Sequence, residues 1–176
     1  MDYQALEEHI KDSVMEEQAK LGFRKEVIRL YYPVGMLNNL FGTACDAEEM
    51  QQALAGFTDF AKERLGEVTI TNKKDRFCLL LPEETSIYVH EHKKENDFIH
   101  QVVKLIASHE TDMEQVKKLF EQQPFPSVVE QTTGGEFDTV IHFTQGDDRY
   151  YYCFKDEGFH ITYHRFLPAD YKDLGV

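Results

Sequence analysis

Between Phe137 and Phe166 apolar and polar positions alternate with a period of two, interrupted twice by a turn signal. Phe137, Thr139, Ile141 and Phe143 alternate with Asp138, Val140 and His142. Tyr150, Tyr152 and Phe154 alternate with Arg149, Tyr151, Cys153 and Lys155, and Phe159, Ile161 and Tyr163 with His160, Thr162 and His164. This is the pattern of strands with one face on a core. Gln145-Gly146-Asp147-Asp148 and Asp156-Glu157-Gly158 supply the turns. Two-residue loops at Gly146-Asp147 and Glu157-Gly158 would set Ile141 opposite Tyr152, Thr139 opposite Phe154, Phe154 opposite Ile161 and Tyr152 opposite Tyr163. Both loops then agree in gathering the apolar residues on one face, which a slip of one residue would scramble. The predicted element is a three-stranded antiparallel meander.

The same parity defines a second face. His142, Tyr151 and His164 form one row across the strands, Val140, Cys153 and Thr162 the next, and Asp138, Lys155 and His160 a third. Histidine suits proton transfer near neutrality, so His142, Tyr151 and His164, with Asp138 and His160 beside them, are the candidate catalytic residues. A metal does not suit the row. His142 and His164 would lie roughly 9–10 Å apart and His160 and His164 roughly 13 Å apart, against about 2 Å per metal–ligand bond. A solvated or helix-covered sheet face is the alternative reading. With no histidine opposite Cys153, a Cys–His nucleophile is disfavoured.

The rest of the chain alternates helical and extended patterns. Tyr3, Leu6, Ile10, Val14 and Leu21 mark a helical stripe that Gly22 ends. Val27 to Tyr32 reads as strand or helix, with Pro33 disfavouring helix at Tyr32. Met36 to Phe41 suggests a short helix. Asp46-x-x-Glu49 opens a helix carrying Met50, Leu54, Phe57, Ala61 and Leu65, in which Gly56 is unfavourable by on the order of 1 kcal/mol against Ala. Val68 to Thr71 and Arg76 to Leu81 read as a hairpin about Asn72-Lys73-Lys74-Asp75. Phe77 to Leu81 is apolar on both faces, as a central strand would be. Ser86 to His92 alternates as a further strand with Tyr88, His90 and His92 on one face. His90 and His92 would then stand about 6.6 Å apart and are the candidate metal ligands, with Glu95 or His100 as a third. Asn96 can cap a helix carrying Phe98, Ile99, Val102, Val103 and Ile106, and Thr111-x-x-Glu114 can cap the next. Ser127 to Thr132 is a possible strand, and Leu167 to Tyr171 a terminal helical turn.

Composition sharpens the picture. The 176 residues carry 41% hydrophobic and 29% charged side chains, as one globular domain over residues 1–176 would. The formal charge of −13 repels phosphate backbones, which argues against nucleic acid, and favours a basic protein partner or a merely soluble surface. No apolar run approaches the ~20 residues that span a bilayer, and the acidic start is unlike a signal peptide. Cys45, Cys78 and Cys153 are dispersed and odd in number, as suits reduced thiols in a cytoplasm. The glycine-rich nucleotide signatures, the G-x-S-x-G elbow and H-E-x-x-H do not occur, so no cofactor is implied.

The stretches Glu16-Glu17-Gln18-Ala19-Lys20-Leu21-Gly22-Phe23-Arg24-Lys25-Glu26, Ile28-Arg29-Leu30-Tyr31-Tyr32-Pro33 and Tyr163-His164-Arg165-Phe166 resemble an uncharacterised family of small proteins from gut clostridia. The resemblance covers most of the chain. It implies a bacterial cytoplasmic protein, and it assigns no activity and no functional residue. The sequence thus predicts an α+β fold, mostly antiparallel, with the C-terminal three-stranded meander packed by about five helices. Its leading functional reading is a non-enzymatic binding or regulatory protein with an acidic surface. The alternative is a small enzyme or ligand-binding domain using the His/Tyr row.

Overall fold

In the computed structural model, residues 1–93, 98–108 and 110–174 are described. The chain divides into two compact units, Met1–Asp97 and Phe98–Val176. The fold is α+β: seven helices and two antiparallel sheets among the described residues. None of these helices is long and apolar enough to cross a membrane. The predicted cap Asn96 and the suggested ligand Glu95 lie outside the described residues.

In the first unit, α1 (Tyr3–Leu21) begins where Asp2 accepts the Ala5 N–H and ends at Gly22. Strand β1 (Ile28–Pro33) resolves the ambiguity at 27–32 in favour of strand, and Pro33 passes directly into α2 (Val34–Phe41). Helix α3 (Ala47–Leu65) opens with the expected capping box of Asp46 and Glu49. Strands β2 (Thr69–Lys73) and β3 (Arg76–Leu81) form the predicted hairpin, turning at Lys74 with φ +57. The order β1-β3-β2 places β3 centrally, as its apolar run required. Leu6, Ile10, Leu37, Met50, Leu54, Phe57, Phe77 and Leu79 fill the core.

The segment expected as a strand at 86–92 is instead part of α4 (Glu83–His92). Pro82 occupies the N-cap, and Glu83 and Glu84 sit in the first turn, where the helix dipole favours acids. Its buried residues are Thr85, Ser86 and Val89, a helical spacing. Their hydroxyls are satisfied locally: Thr85 Oγ1 donates to the Leu65 carbonyl and Ser86 Oγ to the Arg24 carbonyl, both at 2.5 Å. The alternation of Ile87 and Val89 with Tyr88, His90 and His92 was therefore fortuitous.

In the second unit, α5 (Phe98–Ile106) is followed by α6 (Met113–Glu121). The cap of α6 falls one residue beyond the expected Thr111. Asp112 and Gln115 form the box, and Thr111 instead donates to the Leu105 carbonyl. Strands β4 (Ser127–Gln131), β5 (Thr139–Phe143), β6 (Tyr151–Asp156) and β7 (Ile161–Phe166) make a sheet of order β4-β5-β6-β7, closed by α7 (Pro168–Asp173). The sheet is thus four-stranded rather than three-stranded, because 127–131 pairs with β5.

The β5–β6 register is the predicted one, with Thr139 opposite Phe154 and Ile141 opposite Tyr152. The β6–β7 register differs by two residues. Asp156 faces Ile161 and Phe154 faces Tyr163, leaving 157–160 as a longer loop in which Gly158 N–H donates to Asp156 Oδ1 at 2.8 Å. A shift of two preserves every side chain's face. Phe120 of α6 seals the first face, with ring centroids 4.8 Å from Phe98, 5.3 Å from Phe143 and 5.2 Å from Tyr152.

Gly56 has a packing reason. The Tyr3 ring lies over it, donating to the Ala53 carbonyl at 2.8 Å, and its hydroxyl occupies the space a β-carbon would need. Gly56→Ala is expected to destabilise the protein despite an intrinsic helix gain of about 1 kcal/mol. In a Tyr3→Ala background the same change should stabilise. Thermal unfolding of the four-member cycle checks this, and an effect of equal sign in both backgrounds contradicts it.

Candidate functional site

The two-residue shift in register rearranges the rows on the sheet's second face. His142 still faces Tyr151, with ring centroids 4.2 Å apart, but the third member of that row is Phe166 rather than His164. His164 faces Cys153 in the next row, and Thr162 replaces His160 opposite Lys155. Of the five candidates, only His142 and Tyr151 are brought together as predicted. His164 is exposed, its ring 5.7 Å from Phe137. His160 lies in the loop, its ring 4.4 Å from Phe159. Asp138 accepts from Lys155 Nζ at 2.9 Å and from the Asp156 N–H at 3.0 Å, and these bonds hold its carboxyl below the usual range. Such an aspartate ties the entry of β5 to the end of β6 and is a poor proton acceptor.

Two residues that the sequence did not place on this face cover it. Phe137 precedes β5 instead of extending it, so it leaves the first-face alternation and packs with Val140, Cys153 and Tyr171. Tyr171, on α7, stacks on Tyr151 at 4.9 Å with the rings 18° from parallel. Burial raises the Tyr171 hydroxyl, and neighbouring Cys153, Glu130 and Tyr151 add to the shift. Burial also pushes the Cys153 thiol up to about 12. Contrary to the expectation that no histidine would face Cys153, His164 stands opposite it, but burial of the thiol disfavours the thiolate that a nucleophile needs. The signal for this cover was present in the C-terminal Tyr171, four residues after Leu167, but nothing in one sequence said which face the last turn would meet.

Reachable groups on this face lie at its two margins: Thr162 and His164 on β7, and the side toward β4. Val128 faces His142 and Glu130 faces Val140. Glu130 Oε1 lies 3.9 Å from His142 Nε2, and half of the Glu130 side chain is open to solvent.

The candidate metal ligands are not brought together. On a helix, positions two apart point to nearly opposite sides. His90 stacks on Phe23 at 3.8 Å, whereas His92 stacks on Tyr88 at 4.1 Å. His92 Nδ1 lies 2.8 Å from the Tyr88 carbonyl, which can only accept, so Nδ1 carries the proton. Among the described residues no three His, Cys, Asp or Glu side chains gather as a metal site.

The first unit offers a feature with no sequence signal. Glu7 of α1 is buried and accepts from Arg64 of α3 through Nε at 2.8 and 2.9 Å and through Nη2 at 2.8 Å; Lys11 also pairs with it. Three shallow clefts adjoin near this group, each pair sharing one residue: Lys11, Arg64 or Tyr88; the one toward His92 and Lys93 holds ≈ 390 Å³. Burial by itself would raise the Glu7 carboxyl, but the hydrogen bonds from Arg64 and Lys11 outweigh it and hold the group below the ordinary range. A depressed folded pKa adds stability above the unfolded carboxylate pKa of about 4.3, and that stability is lost as pH falls through the folded value. Glu7→Gln should therefore flatten the acid limb of the stability–pH profile. Arg64→Met should destabilise by about 2 kcal/mol at neutral pH, by leaving the carboxylate short of donors. Urea titrations across pH check both, and an unchanged acid limb in Glu7→Gln contradicts the assignment.

Compared with known proteins, residues 3–175 match the model of a family described as "Domain of unknown function, E. rectale Gene description (DUF3877)". No curated protein and no solved structure matches the chain.

Proposed function

The chain belongs to this family of unknown function, and from that premise we propose that it is a non-enzymatic binding or regulatory protein of the bacterial cytoplasm, whose acidic surface receives a basic protein partner. One observation carries the reading. Among the described acidic residues only Glu7 is buried, so nearly all of this charge is at least partly open to solvent. The excess is shared by both units: residues 98–176 hold 13 acidic against 7 basic side chains, and residues 1–97 hold 19 against 12. Such a field steers cationic partners and repels nucleic acid. Since one family model runs through both units, we read them as one functional domain.

The alternative, a small enzyme or ligand-binding domain, retains His142, Tyr151 and Glu130 as its nearest approach to a site. Those groups meet at a stacked, partly covered face.

Affinity purification of the tagged protein from its native host should recover a defined partner of high pI. That partner should be retained at about 0.1 M salt and shed as the Debye length shrinks toward ~3 Å at 1 M. Recovery of no partner, or of an acidic one held equally at both salt concentrations, counts against the proposal.

A further inference from the structure

The sheet edges are not treated alike. β1 carries Arg29 and Pro33, β2 ends at Lys73, and β7 carries Arg165 and runs into α7. Cations and prolines of this kind discourage a further strand from pairing. β4, Ser127-Val128-Val129-Glu130-Gln131, carries neither. It is the terminal strand of its sheet, and no described strand pairs with its outer side. Val128 and Val129 are 38% and 40% exposed, though valine is a residue that sheets bury. Its N-terminal end is held in place: Thr144 N–H donates to the Pro126 carbonyl at 2.9 Å, and Phe125 lies on Gly146, whose φ of +94 and missing β-carbon admit the ring. The edge is thus ordered by β5 and open on its other side.

Parity states what would fit there. Val129, opposite Ile141, lies on the first face; Val128 and Glu130 lie on the second. A strand added about 4.8 Å beyond β4 would set an apolar side chain next to Val129 and a side chain of the opposite parity next to Glu130. In a unit with an excess of acids, Glu130 selects a cation. The same excess opposes a second copy of this chain at the edge, since two like-charged sheets would have to approach.

We propose that β4 is a docking edge which takes up, by strand addition, an extended segment of alternating basic and apolar residues from a basic protein. This rests on the basic-partner reading and names its surface. Main-chain hydrogen bonds to β4 would supply affinity, and the Glu130 and Val129 neighbours would supply register.

The test uses the full chain and two blocked peptides of equal charge: one alternating Lys and Val, the other with a central Val replaced by Pro, which cannot continue a ladder. Binding is read by fluorescence anisotropy and located by amide chemical shifts. Glu130→Lys, at an exposed position, is checked for unchanged thermal unfolding. The proposal expects the alternating peptide to bind, with amide shifts concentrated at 127–131. It also expects a loss of about tenfold or more both with the Pro peptide and in Glu130→Lys. Equal binding of both peptides, indifferent to Glu130→Lys, overturns the docking edge and leaves the basic-partner reading standing. Binding of neither peptide at low salt overturns the proposal, and the purification experiment then decides the broader reading independently. A concentration-dependent dimer abolished by Val128→Lys overturns it by giving the edge to a second copy.

Discussion

The pairing of β5 with β6 is the constraint on which residues 98–174 depend. It sets Ile141 against Tyr152 on one face and Val140 against Cys153 on the other, and all four are buried. A strand pair apolar on both sides must be covered twice. Phe120 covers the first face, with Phe98 and Phe143; Tyr171 and Phe137 cover the second. At about 2 kcal/mol for each large side chain taken out of water, both covers contribute to the stability of a unit this small. What the arrangement leaves open is lateral: β7 is followed by α7, and β4 is bare.

The parity of this sheet was legible because it follows from a period of two and needs no knowledge of the loops. The β5–β6 pairing followed from the first turn. The β6–β7 pairing did not, because Glu157-Gly158 looked like a complete turn, while the chain keeps Phe159 and His160 in the loop as well. The error was even, so Tyr152, Phe154 and Tyr163 stayed inward while His164 moved from the Tyr151 row to the Cys153 row. A candidate site read from rows is therefore less robust than a core read from faces.

Phe137 and α4 were misread for related reasons. Phe137 continues the alternation by letter, but the strand begins at Thr139, and the ring is free to turn to whichever face lacks cover. At 86–92 a short alternation competed with Pro82, two glutamates in a first turn and a helical burial pattern, and the helix prevailed. The Glu7–Arg64 pair spans 57 positions, and no local pattern announces a contact of that range. The family resemblance, by contrast, was carried by a run near the N-terminus and a motif near the end, and the family match over residues 3–175 confirms it.

The central claim is that the second face of the sheet is closed over Cys153, and thiol accessibility tests it most directly. With native protein and a neutral alkylating reagent, mass spectrometry of the peptides should show Cys45 modified first and Cys153 protected until the unit opens. Tyr171→Ala should release that protection while the fold persists. If Cys153 in the unaltered chain were modified as fast as Cys45, the face would be open and the account of this sheet contradicted.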